Sequence, residues 1–157
     1  MKGKPMLKDL LKRFRQRTPI PSEKLSVEEL RNIYEILMIL RKELVDSFDI
    51  LKDRRMREVY DIFSFMMLHY DKMCQFLRRI VNAPLYYDSN QLKYSEIEEL
   101  MMKLPLELSM KLRNLMNCIK TLKSYAHSAA PNYIRSLIFD IDGLIEDIAH
   151  DIGGVLR

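Results

Sequence analysis

Apolar positions recur at intervals of three and four along most of this chain. In "SVEELRNIYEILMILRKELVDS", residues 26–47, Leu30, Ile33, Leu37, Leu40 and Leu44 fall on one face of a helix. Ser26 and Glu29 at its start have the spacing of a capping box, in which each side chain satisfies the other residue's backbone N–H. "LKDRRMREVYDIFSFMMLHYDKMCQFLRRIV", residues 51–81, predicts a second long helix. Its apolar face is Val59, Ile62, Phe63, Met66, Met67, Tyr70 and Cys74, and it stops before Pro84. "NAPLYYDSNQLKY" reads as a loop of turn formers and tyrosines. Ser95 with Glu98 predicts another capping box, and Pro105 ends that helix or opens the next. Leu108, Leu112, Leu115 and Ile119 then recur on a further helix. "HSAAP" connects it to the last one, with Pro131 in its first turn.

Upstream, "MLKDLLKRFRQR" places Met6, Leu7, Leu10, Leu11 and Phe14 on a short amphipathic helix with a basic back. "TPIP" separates it from the capped helix at Ser26. Residues 1–21 are therefore expected to be a basic appendage, and 22–157 a single compact helical domain. No stretch alternates with period two, so the chain reads as all-α with five or six helices. No apolar run approaches the ~20 residues that cross a bilayer, so no membrane partner is expected.

Composition agrees with a folded helical chain. Gly (4) and Pro (6) are scarce among 157 residues, while hydrophobic residues make up 48% and charged residues 31%. The net charge of +4 is unevenly spread. Lys2, Lys4, Lys8, Lys12, Arg13, Arg15 and Arg17 crowd one end, and Asp140, Asp142, Glu146, Asp147 and Asp151 the other. Such polarity suits an anionic partner at one end and a basic one at the other. Cys74 and Cys118 lie far apart without a CxxC pattern or an export signal before them. They are expected to be reduced, buried and structural, and the cytoplasm is the expected compartment.

"LIFDIDGLIEDI", residues 137–148, contains the Asp-x-Asp-Gly of haloacid-dehalogenase-like phosphatases. That chemistry needs a strand before the first Asp and a Ser/Thr, a Lys and further metal-binding acids after it. Only 14 residues follow Gly143, and none is Lys. Ile134, Leu137, Ile138, Ile141, Ile145, Ile148 and Ile152 recur at helical spacing instead. On a helix Asp140 and Asp142 stand about 200° apart and cannot share one metal or phosphate. The segment is expected to be a C-terminal amphipathic helix, acidic outside, ending at Gly153-Gly154.

No catalytic set can be assembled. His69, His127 and His150 are scattered, with no HExxH and no His pair at i, i+4, so the spacing offers no zinc site. There is no Gly-rich phosphate loop. The densest unusual feature is "KDRRMRE", where Lys52, Arg54, Arg55 and Arg57 are expected to crowd the first turn of the second long helix. Cations there oppose the helix dipole unless an anion compensates, and free N–H groups at that end can bind phosphate. Arginine forks grip phosphate bidentately. Arg54 and Arg57, three apart, would share a face from which Arg55 points away. Removing any of the three should then leave stability unchanged or higher. Salt bridges to Asp46, Asp49 or Asp53, or plain solvation, are the structural alternative.

Residues 33–100 resemble the helical C-terminal domain of the archaeal and eukaryotic primase large subunit. "IYEILMILRKEL" resembles that family's first helix. "RRMREVYDIF" resembles the opening of its second, and "YYDSNQLKYSEIEEL" its loop. Arg57 takes the place of the family arginine, Tyr60 and Phe63 that of its apolar pair, and Lys93-Tyr94 that of its Arg-Tyr. Arg54 stands where the family has His. The four cysteines of the family's iron–sulfur cluster are absent, so no cluster is expected. Size and cluster loss look like the small third, non-catalytic (X) subunit of some archaeal primases. The resemblance implies a nucleotide- and DNA-binding accessory subunit of the primosome in DNA replication. It would hold the initiating nucleotide triphosphate for the catalytic and large subunits through Arg54, Arg57, Lys93 and Tyr94. It would have no catalytic site of its own, no metal and no cofactor. Three other readings compete: a nucleic-acid-binding small subunit of a type III CRISPR effector, a helical replication scaffold similar to the GINS proteins, and an unrelated helical interaction module.

Overall fold

The computed structural model describes residues 25–82 and 94–153. They form five α-helices: α1 (Val27–Asp53), α2 (Tyr60–Val81), α3 (Ile97–Met102), α4 (Leu106–Tyr125) and α5 (Pro131–Asp151). Short 3₁₀ turns at Arg57–Val59 and Tyr94–Glu96 precede α2 and α3. The expected basic helix at 6–17, the appendage 1–21 and Gly154 lie outside the described residues.

Helix α1 begins where its cap predicts. The Glu29 N–H donates to Ser26 Oγ at 3.0 Å, and the Ser26 N–H donates to Glu29 Oε1 at 2.9 Å. Leu30, Ile33, Leu37, Leu40 and Leu44 are all buried. The long helices pack as a square in the order α1, α2, α5, α4, with α1 and α5 on one diagonal and α2 and α4 on the other. Short turns join α1 to α2 and α4 to α5, so each of these pairs is antiparallel. Helix α3 packs on α1 and α4. The stripes of all four long helices meet in one core, including Phe63, Met66, Tyr70, Leu112, Ile119, Ile141 and Ile145.

Each side of the square carries one charged clasp. Arg41 Nε donates to Asp71 at 2.7 Å between α1 and α2. His69 Nδ1 and Asp142 Oδ1 lie 2.8 Å apart between α2 and α5. Lys111 donates to Asp151 at 2.6 Å between α4 and α5, and Lys123 to Glu43 at 2.6 Å between α4 and α1. Apart from Lys111–Asp151, whose carboxylate is buried, partly exposed pairs of this kind contribute little net stability. Their positions select this register of four otherwise similar apolar faces.

Three expectations are corrected. Ser95 is not an N-cap: it lies inside the Tyr94–Glu96 turn, and α3 starts from Glu96 without a side-chain cap. The carboxylate that would have completed the box, Glu98, instead accepts from Arg113 Nη1 and Nη2, at 2.5 and 2.7 Å. That bond holds the Glu98 carboxyl below its usual range. Helix α5 is not acidic only on its outside. Asp142 is half-buried, and Asp151 is buried with one oxygen unpaired. Of the cysteines, Cys74 is buried, its thiol pushed up to about 12 by desolvation, whereas Cys118 is half-buried. Neither thiol is poised as a thiolate nucleophile.

Candidate functional site

The arginine-rich stretch is a helix end rather than a helix start. Helix α1 runs on through Lys52 and Asp53, and Arg54 is its C-cap. The Arg55 N–H donates to the Lys52 carbonyl (2.9 Å) and the Met56 N–H to the Leu51 carbonyl (3.1 Å). These two bonds, with Arg55 at φ 55°, make a Schellman motif. Met56 and Leu51 are both buried, which supplies its hydrophobic contact. Helix α2 does not begin until Tyr60. The dipole argument therefore changes sign. Lys52 sits at a helix C-terminus, where a cation is favoured.

Arg54 reaches across to the next turn. Its Nη1 donates to the carbonyls of Ala126 (2.8 Å) and Ala129 (2.9 Å), beyond the end of α4. Through Nη1 the guanidinium thus caps a neighbouring helix. Among the described residues no ion pair joins these arginines to Asp46, Asp49 or Asp53, and Asp46 lies 3.5 Å from Lys123. Arg57 opens the 3₁₀ turn and is exposed, as is Arg55. Arg54 and Arg57 do not share a helix face, because the chain reverses between them. Lys93 lies outside the described residues. No hydrogen bond or ion pair among the described residues joins Arg54 or Arg57 to Tyr94.

Tyr94 belongs to a different cluster, which periodicity does not reveal. It lines a hollow of about 500 Å³ beside α1 and α4 with Glu43, Lys120, Lys123, Ser124 and His127. This volume lies within the common range of small-molecule sites. Lys120 Nζ stands 4.9 Å from the centre of the Tyr94 ring, in cation–π range. The Tyr94 hydroxyl is buried without a hydrogen-bond partner. Lys123 is held by Glu43 and Asp46, and the bond to Glu43 raises its affinity for a proton. Lys120 makes no ion pair among the described residues. Lys120 and Lys123 lie on α4 and His127 just past its end, so no local spacing marks them as one site.

The α1–α2 side has two smaller hollows, separated by the Arg41–Asp71 clasp. One, of about 330 Å³, is mainly apolar and lined by Val45, Phe48, Phe63, Met67 and Leu68. The other, of about 260 Å³, lies among Tyr34, Met38, Arg41, Cys74 and Arg78. No helix among the described residues is long and apolar enough to cross a membrane. The fold and its hollows define an all-helical bundle with a lysine-lined recess. No protein-family model, curated protein or solved structure matches the chain.

Proposed function

We propose that this chain is a non-catalytic accessory subunit of a DNA primase, holding the triphosphate of the initiating nucleotide beside the catalytic subunit. The observation that carries this reading is the recess at Tyr94, where Lys120, Lys123, Ser124 and His127 converge. Lys120 supplies a cation for phosphate, and Ser124 supplies a neutral donor. Tyr94 is also one of the residues that the primase resemblance singles out. The phosphate site is thereby moved from the Arg54 turn, where Nη1 already bonds two carbonyls, to α4. Beginning a chain requires two nucleotides held together. A subunit that grips one of them raises its effective concentration without a nucleophile of its own.

Titration of labelled ATP, ADP and AMP into the pure protein tests this. Affinity should fall from ATP to AMP. Lys120→Ala should weaken ATP by about tenfold or more, the loss of one charge-assisted hydrogen bond. In a reconstituted primase the same variant should depress initiation and spare extension of a supplied primer. Binding that ignores phosphate number, tracks salt and extends to any RNA or DNA would instead mark a nucleic-acid-binding subunit of the CRISPR type.

A further inference from the structure

On the opposite side of the square, α2 and α5 bring together three side chains that lie far apart in the chain. His69 projects from α2, and Asp142 and Glu146 from α5. One ligand atom of each lies within 4.8 Å of the other two. Asp142 and Glu146 are four apart, so one rigid helix face presents both carboxylates. From this arrangement we infer that His69, Asp142 and Glu146 form a binding site for a divalent cation of the zinc type.

The site is organised before any ion arrives. His69 Nδ1 is 2.8 Å from Asp142 Oδ1, and their side chains are only 12% and 22% exposed. The Phe65 ring stands edge-on to the imidazole at 4.4 Å between centroids, which fixes the ring plane. Glu146 is exposed and makes no hydrogen bond or ion pair among the described residues. A histidine with its carboxylate satisfied needs no third acid. An ion gives that third group a role.

Bonds of about 2.0–2.1 Å to a tetrahedral zinc place its ligand atoms about 3.3 Å apart. The His69–Asp142 pair must therefore open by about half an ångström, and Glu146 must swing inward by a rotamer change. Both are small movements for side chains at a helix interface. Three protein ligands leave one position open to solvent. Solvent reaches the site on the Glu146 side, since Glu146 is exposed. One imidazole nitrogen with two carboxylates suits a borderline cation. Mg²⁺ and Ca²⁺ prefer more oxygen ligands, and an imidazole offers them little. Binding through Nδ1 would leave the proton on Nε2 and replace a hydrogen bond between α2 and α5 with coordinate bonds.

The test is calorimetric titration of ZnCl₂ into the untagged, EDTA-treated full chain. The expected result is equimolar binding, with no comparable heat from MgCl₂. Glu146→Gln should weaken zinc by more than about tenfold, since even an outer-shell partner typically costs that much. Its circular dichroism and metal-free melting temperature should match those of the wild type, because Glu146 is exposed and unpaired. Asp142→Asn should weaken zinc similarly. His69→Gln should abolish binding, and if that variant fails to fold, Glu146→Gln decides alone. No zinc binding by the wild-type chain overturns the inference. So does binding that Glu146→Gln leaves unchanged, which would place the ion elsewhere.

Discussion

The two ends of the bundle handle charge in opposite ways. At the end where α1 gives way to α2 and α4 to α5, a cluster of arginines stays in water, and Arg54 bonds to neutral carbonyls. At the other end, Asp151 is buried with its carboxylate against Lys111. In the sequence the first looks like a ligand site and the second like solvated surface. Arg54 sits in high dielectric and bonds to neutral groups, so its loss is tolerable. Asp151 has given up its hydration, and its partner is hard to replace. Density of charge along a chain is a poor guide to what each charge does. Burial decides that.

The largest effect should come from the buried end. Lys111→Ala leaves the Asp151 carboxylate without its counter-ion and should cost about 3 kcal/mol. That is the low end of the range for a broken buried pair, because Asp151 can take up a proton. Urea denaturation at neutral pH measures it. A loss below that of Arg54→Ala would erase the contrast between the ends.

Arg54→Ala should cost about 1–2 kcal/mol, since it removes two charge-assisted bonds from the end of α4 at a partly exposed site. This reverses the expectation that removing arginines here leaves stability unchanged or raises it. ATP binding should survive the substitution, because Arg54 does not line the Tyr94 recess. A parallel loss of nucleotide affinity without unfolding would restore the turn as a binding site.

Arg55→Gly should stabilise the protein by about 1 kcal/mol, as glycine adopts the left-handed Schellman position without the Cβ penalty. Thermal melts of the two variants side by side would show opposite signs at adjacent arginines. No general electrostatic account predicts that.

The smallest effect is a pH slope. Burial raises the Asp151 pKa above its ordinary carboxylate value. In the window from that ordinary value up to the raised one, the folded chain binds more protons than the unfolded chain. This group's contribution to stability therefore falls as pH rises through the window. Asp151→Asn should remove that component, so wild type should lose stability relative to the variant as pH increases from about 4. An unchanged difference between the two across the range would mean that Lys111 compensates the burial fully.

The helical architecture was legible in the chain because a stripe at period 3.6 has few other ways to be buried. The Ser26 cap and the Leu108–Ile119 and Ile134–Ile152 stripes all follow from local spacing. Helicity also disposes of the Asp-x-Asp-Gly resemblance, since the period places its carboxylates on different faces. The start of α2 was misjudged because the stop of α1 carries Arg55 where glycine is the usual signal. Met56 and Leu51 close that turn by packing, and a pair five residues apart announces nothing by itself.

Which side chains meet across helices had no local signature. The Lys120 recess depends on α4 lying beside α1, and the His69–Asp142–Glu146 cluster on α5 lying beside α2. Periodicity tells each helix which face to bury, because that depends on neighbours a turn away. It does not say against which helix, since one apolar stripe serves as well as another until all four pack together. That choice decides that Arg54 is a cap, Asp151 is buried, and a histidine seventy-three residues from Asp142 becomes its partner.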